Sequence, residues 1–505
     1  MQNFIERHDS KIKGVISCFD RIILNGTMPG ICYAQGMSAF LTAKGIRIFD
    51  FTQWADPLRE EIRANAEKIA RDHSLEIDFI RKKTFRKEDR ISEIIKQRGS
   101  HPGLVHIFSA MESCSAYKPW YNKKTGKTSL KTVPGKCLHY YFYFITAESG
   151  LCYLRVPTWA PFRLQFYCNG HNLLAAKLGK KKIDFQMPDN VFVQIDDFDT
   201  AQKLADDIDV KRLHRQLDKI VRHYCPIVRH FANNYHWSFM QVEYATDIIF
   251  RQKGYLKLIY DEIIRTAIHS VKPENISTFL GRKLHGGYED EMGNNFNTRI
   301  EGTCIKHRMG PVAVKMYDKF GLVLRVETVA NNVSFFKHRR RVEHRDGKWE
   351  MTDAPLKKSI YSLPLLVELM KASNRRYLEF ISAIDDPSGG IKDLNKISRS
   401  VKEDDRSYRG FNLFDDDDLV LFSAIIRGEF NISGFSNKSL RKVIKDKKGY
   451  QVSRLLKRLR KHGLIKKIGN TYKYYLTALG RRVTATALKL REMYIIPSLR
   501  GVIIR

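Results

Sequence analysis

Apolar residues in this chain recur with two periods, and the changes from one to the other set the expected elements. Gly14-Val-Ile-Ser-Cys-Phe19 reads as a short strand. Asp20-Arg21 follows, then a second strand, Ile22-Ile-Leu24, that ends at the turn pair Asn25-Gly26. Leu58, Ile62, Ala66 and Ile69 line one side of a helix over 57–73. Leu104 to Phe108 is a buried strand, and the polar run from Tyr121 to Gly135 is expected to be loop. An aromatic β block follows at 139–144, 151–156 and 162–167, its first pair joined at Glu148-Ser149-Gly150. A helix near 172–178 and a strand over 191–195 complete this part.

Residues 200 to about 282 read as all-helical, with Leu213, Leu217, Ile220 and Val221 on one face and Leu256, Leu258, Ile259 and Ile263 on another. Glu243 and Asp247, four apart, would share a helix face that is more often solvated than functional. Residues 296–345 return to β. The charged, Gly- and Ser-containing stretch 385–412 is expected to be a linker. The acidic run Asp415 to Asp418 then suits a helix start, where the macrodipole favours negative charge. Helices are predicted over 419–426, 438–444 and 451–462, a hairpin over 464–477 with Gly469-Asn470 at its tip, and a last helix from Ala478 to about Met493. The expected fold class is a multidomain α+β chain. It comprises an α/β region with the aromatic block (1–205), a helical plus antiparallel β region (206–384), the linker (385–412) and a terminal domain (413–505).

Charge changes the picture at the end of the chain. Residues 437–505 hold 20 Lys and Arg against two acids, +18 of a net +33. Within them Val452, Leu455, Leu456 and Leu459 form an apolar stripe, while Arg454, Lys457, Arg458, Arg460 and Lys461 fill the other face and Gly463 closes the helix. A cationic helix face fits a polyanion, most commonly nucleic-acid phosphate. A composition 43% hydrophobic argues against disorder. No apolar run reaches membrane-spanning length, and the N-terminal residues lack a signal-peptide pattern. The eight cysteines are scattered with no CxxC pair, which argues for a reducing cytoplasm and against a disulfide framework or zinc ribbon.

The segment RLLKRLRKHGLIKKIGNTYKYYLTALGR, with its surrounding helix–helix–helix–hairpin–helix order, resembles the winged helix of MarR-like bacterial regulators over about 90 residues. The resemblance implies a recognition helix in the major groove and a wing near phosphates or the minor groove. On it, Arg454, Lys457, Arg458 and Lys461 would face the groove, with Lys466, Lys467 and Lys473 on the wing. The more than 400 residues in front of this segment depart from the short MarR-like plan, so a simple ligand-responsive repressor is not implied.

A second segment carries candidate chemistry. Period two puts Arg299, Glu301 and His307 on one strand face, Lys315 and Tyr317 on a second, and Arg325 and Glu327 on a third. A three-residue turn at Lys319-Phe320-Gly321 would set Lys315 opposite Arg325 and make the polar faces coincide. Tyr317-Asp-Lys followed by Arg325-x-Glu327 is similar to a stretch of rolling-circle replication initiators, although no His-hydrophobic-His pair is present. This inventory suits phosphodiester transfer. Tyr317 would be the nucleophile, Glu301, His307 and Glu327 would hold Mg or Mn, and Arg325 would be an electrostatic clamp. The competing reading is solvated cross-strand charge pairing.

Other candidates are Arg339, Arg340 and Arg341 as a phosphate contact, and the aromatic block as a base-stacking surface. A carboxylate set of Asp20, Glu112 and Asp196 or Asp197 could serve a two-metal nuclease. No P-loop, GxGxxG or HExxH pattern occurs, so no nucleotide cofactor is read. The expected function is nucleic-acid binding in the cytoplasm, in a mobile element or regulator, with DNA favoured over RNA and with metal-dependent strand processing as the candidate activity. A non-enzymatic MarR-like transcription regulator and an RNA-binding scaffold are the alternatives. Oligomeric state is not legible.

Overall fold

A computed structural model describes residues 2–490, other than positions 83, 272, 283–287, 289, 300–301, 345, 385–389, 404, 413, 428–429, 431–433, 445–446 and 470. The chain is α+β and divides into two units. The N-terminal unit holds Ile16–Tyr244 and Ala330–Val367, and the C-terminal unit holds Met1–Val15, Ala245–Val329 and Glu368–Arg505. Two long strands, Ile12–Thr27 and His236–Phe250, start in one unit and finish in the other.

In the N-terminal unit the sheet runs from its share of His236–Phe250 to its share of Ile12–Thr27, then Leu164–Cys168, Gly150–Pro157, Lys127–Thr146, Gly103–Asn122 and Ile77–Phe79. Ile12–Thr27 with Leu164–Cys168, and the successive neighbours from there to Gly103–Asn122, pair antiparallel, whereas Ile77–Phe79 pairs parallel to Gly103–Asn122. Phe108, Phe142, Phe166 and Trp237 are fully buried. Phe142 and Phe144 stack on Tyr224 of the Val210–Tyr224 helix at 4.6 and 5.2 Å between ring centroids.

Four expectations fail here. The two short strands about Asp20-Arg21 are one sixteen-residue strand, Ile12–Thr27. Asn25-Gly26 does not turn; Gly26 pairs with Leu164, and a Cβ on it would meet the Trp237 ring at 3.0 Å. The glycine answers a close ring approach rather than a reversal. The stretch from Tyr121 to Gly135 is not loop, because Gly103–Asn122 and Lys127–Thr146 form a hairpin of two twenty-residue strands. Residues 200–282 are not all helical, since His236–Phe250 is a strand; Glu243 and Asp247 therefore lie along a strand.

In the C-terminal unit the strands Met292–Arg299, Gly302–Met309, Val312–Lys319 and Val323–Ala330 follow one another across the sheet, ahead of this unit's shares of His236–Phe250 and Ile12–Thr27. All eight residues of Val323–Ala330 are buried, charged ones included. The helices Asp416–Ile425, Asn437–Val443 and Gly449–Lys461, the hairpin Ile465–Lys467 with Tyr474–Leu476, and the helix from Ala478 to Leu490 follow in the order read from the sequence. They close around Leu421, Phe422, Leu440, Val452, Leu456, Leu459, Leu464, Leu476 and Val483. Ile397 and Phe411 join this core. The stretch 385–412 carries a helix, Gly390–Ser398, and a small hairpin, Val401–Glu403 with Arg406–Tyr408.

Candidate nucleic-acid interface and a buried polar strand

The Gly449–Lys461 helix turns Val452, Leu456 and Leu459 inward. Hydrophobic burial of that stripe, about 25 cal/mol per Å² of apolar surface, fixes which side chains remain outside. Arg454, Lys457 and Arg460 are exposed, as are Lys466, Lys467 and Lys473 on the hairpin. Arg454 lies 5.6 Å from the Tyr450 ring, Lys457 5.7 Å from Tyr408, and Lys467 5.9 Å from Tyr472. Tyr450 and Tyr472 are themselves 57% and 85% exposed, so cations and aromatic planes share this surface.

Two residues expected on the groove face are placed elsewhere. Arg458 forms a two-pronged ion pair with buried Asp418 at 2.7 and 2.8 Å. Its Nε also donates to the Arg409 carbonyl at 2.9 Å, and its guanidinium stacks over Phe411 at 3.9 Å. The physical reason is the buried Asp418 carboxylate, whose charge needs a close cationic partner. Arg458 thus clamps the third helix of this module to its first helix and to the 409–411 segment. Lys461 is ion-paired with Glu403. Replacing Arg458 with Ala is expected to cost on the order of 3 kcal/mol, because buried Asp418 would lose its closest cation and keep the longer 3.5 Å contact to Arg409. Thermal unfolding would register this as a lower Tm, with duplex binding per folded molecule little changed.

The second candidate region is interior. Lys315 reaches Glu327 at 3.1 Å, and the Tyr317 hydroxyl donates to the same Glu327 oxygen at 3.4 Å. The shared face is therefore present, but Tyr317 is 7% exposed and Glu327 and Arg325 are 0% exposed. Arg325 donates from Nε and Nη2 to the two oxygens of Asp247, both at 2.7 Å. Thr328 donates to Asn374, which donates to Thr246 at 3.2 Å. A tyrosine nucleophile must meet a phosphorus atom, and an electrostatic clamp must meet a developing charge; burial opposes both roles.

His307 is also committed. Asn294 donates from Nδ2 to the Val271 carbonyl, which points its Oδ1 at His307. His307 Nδ1–H therefore donates to Asn294 at 2.7 Å, and its Nε2 accepts from the Tyr377 hydroxyl at 3.0 Å. No ring nitrogen remains for a metal. Glu301 lies outside the described residues, and Arg299 belongs to the Met292–Arg299 strand, not to that of His307. Of the expected metal set Glu301, His307 and Glu327, His307 is therefore not free to act as a ligand.

Burial lowers the His307 pKa to about 3, against an ordinary 6.5. The folded state holds it neutral, so His307 removes no stability above pH 6.5. Between pH 6.5 and 3 the unfolded chain binds the proton and the folded chain does not. Stability should fall by about 1.4 kcal/mol per pH unit from this residue. Urea denaturation across that window should be less steeply pH-dependent in His307→Gln.

In the N-terminal unit Asp20 and Glu243, both buried, offer carboxylate oxygens within 4.8 Å of each other, a span that one divalent cation can bridge. Asn190 donates to Asp20 at 2.6 Å, and His171 lies 3.3 Å from it. This pair went unread because Glu243 was assigned to a solvated helix face. The carboxylates expected beside Asp20 serve other roles. Glu112 accepts from the Tyr141 hydroxyl at 2.6 Å and lies 3.4 Å from Arg155 and 3.8 Å from Lys87. Asp197 caps the Phe198–Asp206 helix by accepting from the Thr200 amide at 2.9 Å. Arg339, Arg340 and Arg341 lie on a hairpin of Lys337–Glu343 with Trp349–Pro355, where Arg341 stands 4.8 Å from the Trp349 ring. Within the aromatic block Tyr140 to Phe144 are all buried and so not open to a base, while Tyr153 and Tyr167 are half-buried and stack on each other at 5.1 Å between ring centroids.

No family profile matches this chain, and no curated protein sequence does. Among solved structures the chain is similar to the rolling circle replication initiator protein from Geobacillus stearothermophilus. The two are 9% identical, the match covers 71% of this chain and 97% of that one, and the TM-score is 0.21. A superposition at that level does not define a shared fold. Among the described residues, no helix is long and apolar enough to cross a membrane.

Proposed function

We infer that the chain binds nucleic acid, and that its C-terminal helices and hairpin act as a winged-helix reader of duplex DNA. The observation that carries this reading is the set of exposed cations on one helix and its hairpin. Arg454, Lys457, Lys466, Lys467 and Lys473 make no ion pair among the described residues, whereas the inward-leaning Arg458 and Lys461 are neutralised. Exposed unpaired cations on a rigid, well-packed helix suit phosphate contact, with Arg454 and Lys457 placed for base edges in the major groove. Tyr450 and Tyr472 give the same surface polar aromatic tips.

The reading assigns no chemistry to the buried strand. Lys315, Tyr317, Arg325 and Glu327 support the sheet instead, and Tyr317→Phe is expected to leave nucleic-acid binding unchanged. The test is fluorescence anisotropy with a labelled short duplex over a salt series. The reading predicts binding that weakens steeply with salt, because bound counterions are released when phosphates are neutralised. Absence of duplex binding at low ionic strength would overturn it.

A further inference from the structure

We propose that the distal half of the Gly103–Asn122/Lys127–Thr146 hairpin is a second polynucleotide surface, one that takes single-stranded DNA. It lies in the N-terminal unit and does not belong to the terminal reader. That the strand is DNA rests on the duplex-DNA reading above; the stacking and charge argument does not.

Register separates the two faces of the hairpin. Residues directly opposite in an antiparallel pair share a face, and faces alternate along each strand. Tyr117 pairs with Thr132, and Pro119 with Leu130. On that face Tyr117 and Leu130 are buried, the Tyr117 hydroxyl donates to the Ile31 carbonyl at 2.8 Å, and the Leu130 amide donates to Ser38 Oγ at 2.9 Å. Ser38 sits on the Ala34–Ala43 helix, so this helix holds the hairpin in place from one side.

The opposite face is open. Lys118 pairs directly with Lys131, and Trp120 with Ser129. Lys118 and Lys131 are exposed, and Trp120 is 45% exposed with Lys131 Nζ 6.0 Å from its ring. Lys123, Lys124 and Lys127 at the tip are exposed too. From Ser113 to Lys136 there are six lysines and no acidic residue. None of the six forms an ion pair among the described residues.

Like charges set directly across a ladder repel each other. An exposed indole beside them adds an apolar plane that water solvates poorly. One ligand relieves both at once: a phosphodiester chain whose bases are free to stack. Duplex DNA would meet the lysines but would leave Trp120 without a partner, because its bases are already stacked. An acidic protein segment would meet the charge and need no indole. Stacking platforms flanked by cations are how sequence-tolerant single-strand binders work.

The experiment uses the full chain with labelled short oligothymidylate, oligouridylate and duplex DNA, each over a salt series. Trp120→Ala should weaken oligothymidylate binding by roughly 5- to 150-fold, the range of one lost base stack, while Trp120→Phe keeps most of it. Lys118→Gln with Lys131→Gln should lower the single-strand salt slope by about 1.4. Duplex binding should persist in all three variants, since the terminal reader is untouched. Because these side chains are exposed, circular dichroism and Tm should match the parent chain. Unchanged oligothymidylate affinity in Trp120→Ala would overturn the proposal, as would tighter binding of oligouridylate than of oligothymidylate. A loss confined to duplex DNA would overturn it as well. Failure of the terminal reader would show separately, as missing duplex binding in the parent chain.

Discussion

Glutamine at Arg454, Lys457, Lys466, Lys467 and Lys473 together is expected to lower duplex-DNA affinity by on the order of a thousandfold near physiological salt. Each cation that neutralises a phosphate contributes about 0.9 to the slope of log affinity against log salt, so loss of the three hairpin lysines alone should lower the slope by roughly 2.7. All five side chains are exposed, and none supports the core through an ion pair among the described residues. The folded state should therefore survive the substitutions. Single changes should divide by role. Loss of Arg454 or Lys457 should relax sequence preference if the helix enters the major groove, whereas loss of Lys466, Lys467 or Lys473 should weaken all sequences alike. Anisotropy titrations against two duplexes of different sequence separate these outcomes. An unchanged salt slope in the fivefold variant would remove the C-terminal helix and hairpin as the contact surface.

The largest expected stability effect lies in the sheet of the C-terminal unit. Arg325 and Asp247 are 0% exposed and meet through two hydrogen bonds of 2.7 Å. Removing one partner takes a two-pronged ion pair out of the core, at a cost of about 3–5 kcal/mol. Arg325→Met and Asp247→Leu should each approach that cost in urea denaturation. The double variant should recover most of it, since two apolar side chains of similar volume replace a pair whose attraction is largely offset by desolvation. Additive losses in the double variant would show that the two residues are not energetically coupled. Either single variant should leave duplex binding per folded molecule intact.

The terminal helices were legible because their signals are local. Val452, Leu456 and Leu459 recur at helical spacing, Gly463 takes φ of +70° where the helix ends, and Ser436 caps the Asn437–Val443 helix. Arg458 misled because it borders the apolar stripe, and periodicity does not distinguish a border cation facing solvent from one facing a buried acid. The only hint was Asp418, at the end of an acidic run and just before the apolar Leu419.

The His236–Phe250 strand misled for a different reason. Its residues from Val242 to Phe250 are buried without alternation, so the period-two signal vanished. Its composition, with Trp237, Phe239, Val242, Tyr244, Thr246, Ile248 and Ile249, was the better guide. The Arg325–Asp247 pair joins residues 78 apart in sequence. A pairing of that kind is set by tertiary packing and leaves no local trace. The same holds for Asp20 and Glu243, drawn together by two strands more than two hundred residues apart.

Because Ile12–Thr27 and His236–Phe250 each contribute to both units, vectorial synthesis constrains how this chain matures. Residues 2–15 emerge from the ribosome long before Ala245, where the rest of their unit starts. The other unit likewise stays incomplete until Val367 has been made. Nascent chains should thus hold long, lysine-rich, unclosed strands for most of translation, a state in which slow nonlocal pairing and exposed edges invite aggregation. Recovery of soluble protein should therefore depend more on elongation rate and chaperone supply than the stability of the finished molecule would suggest.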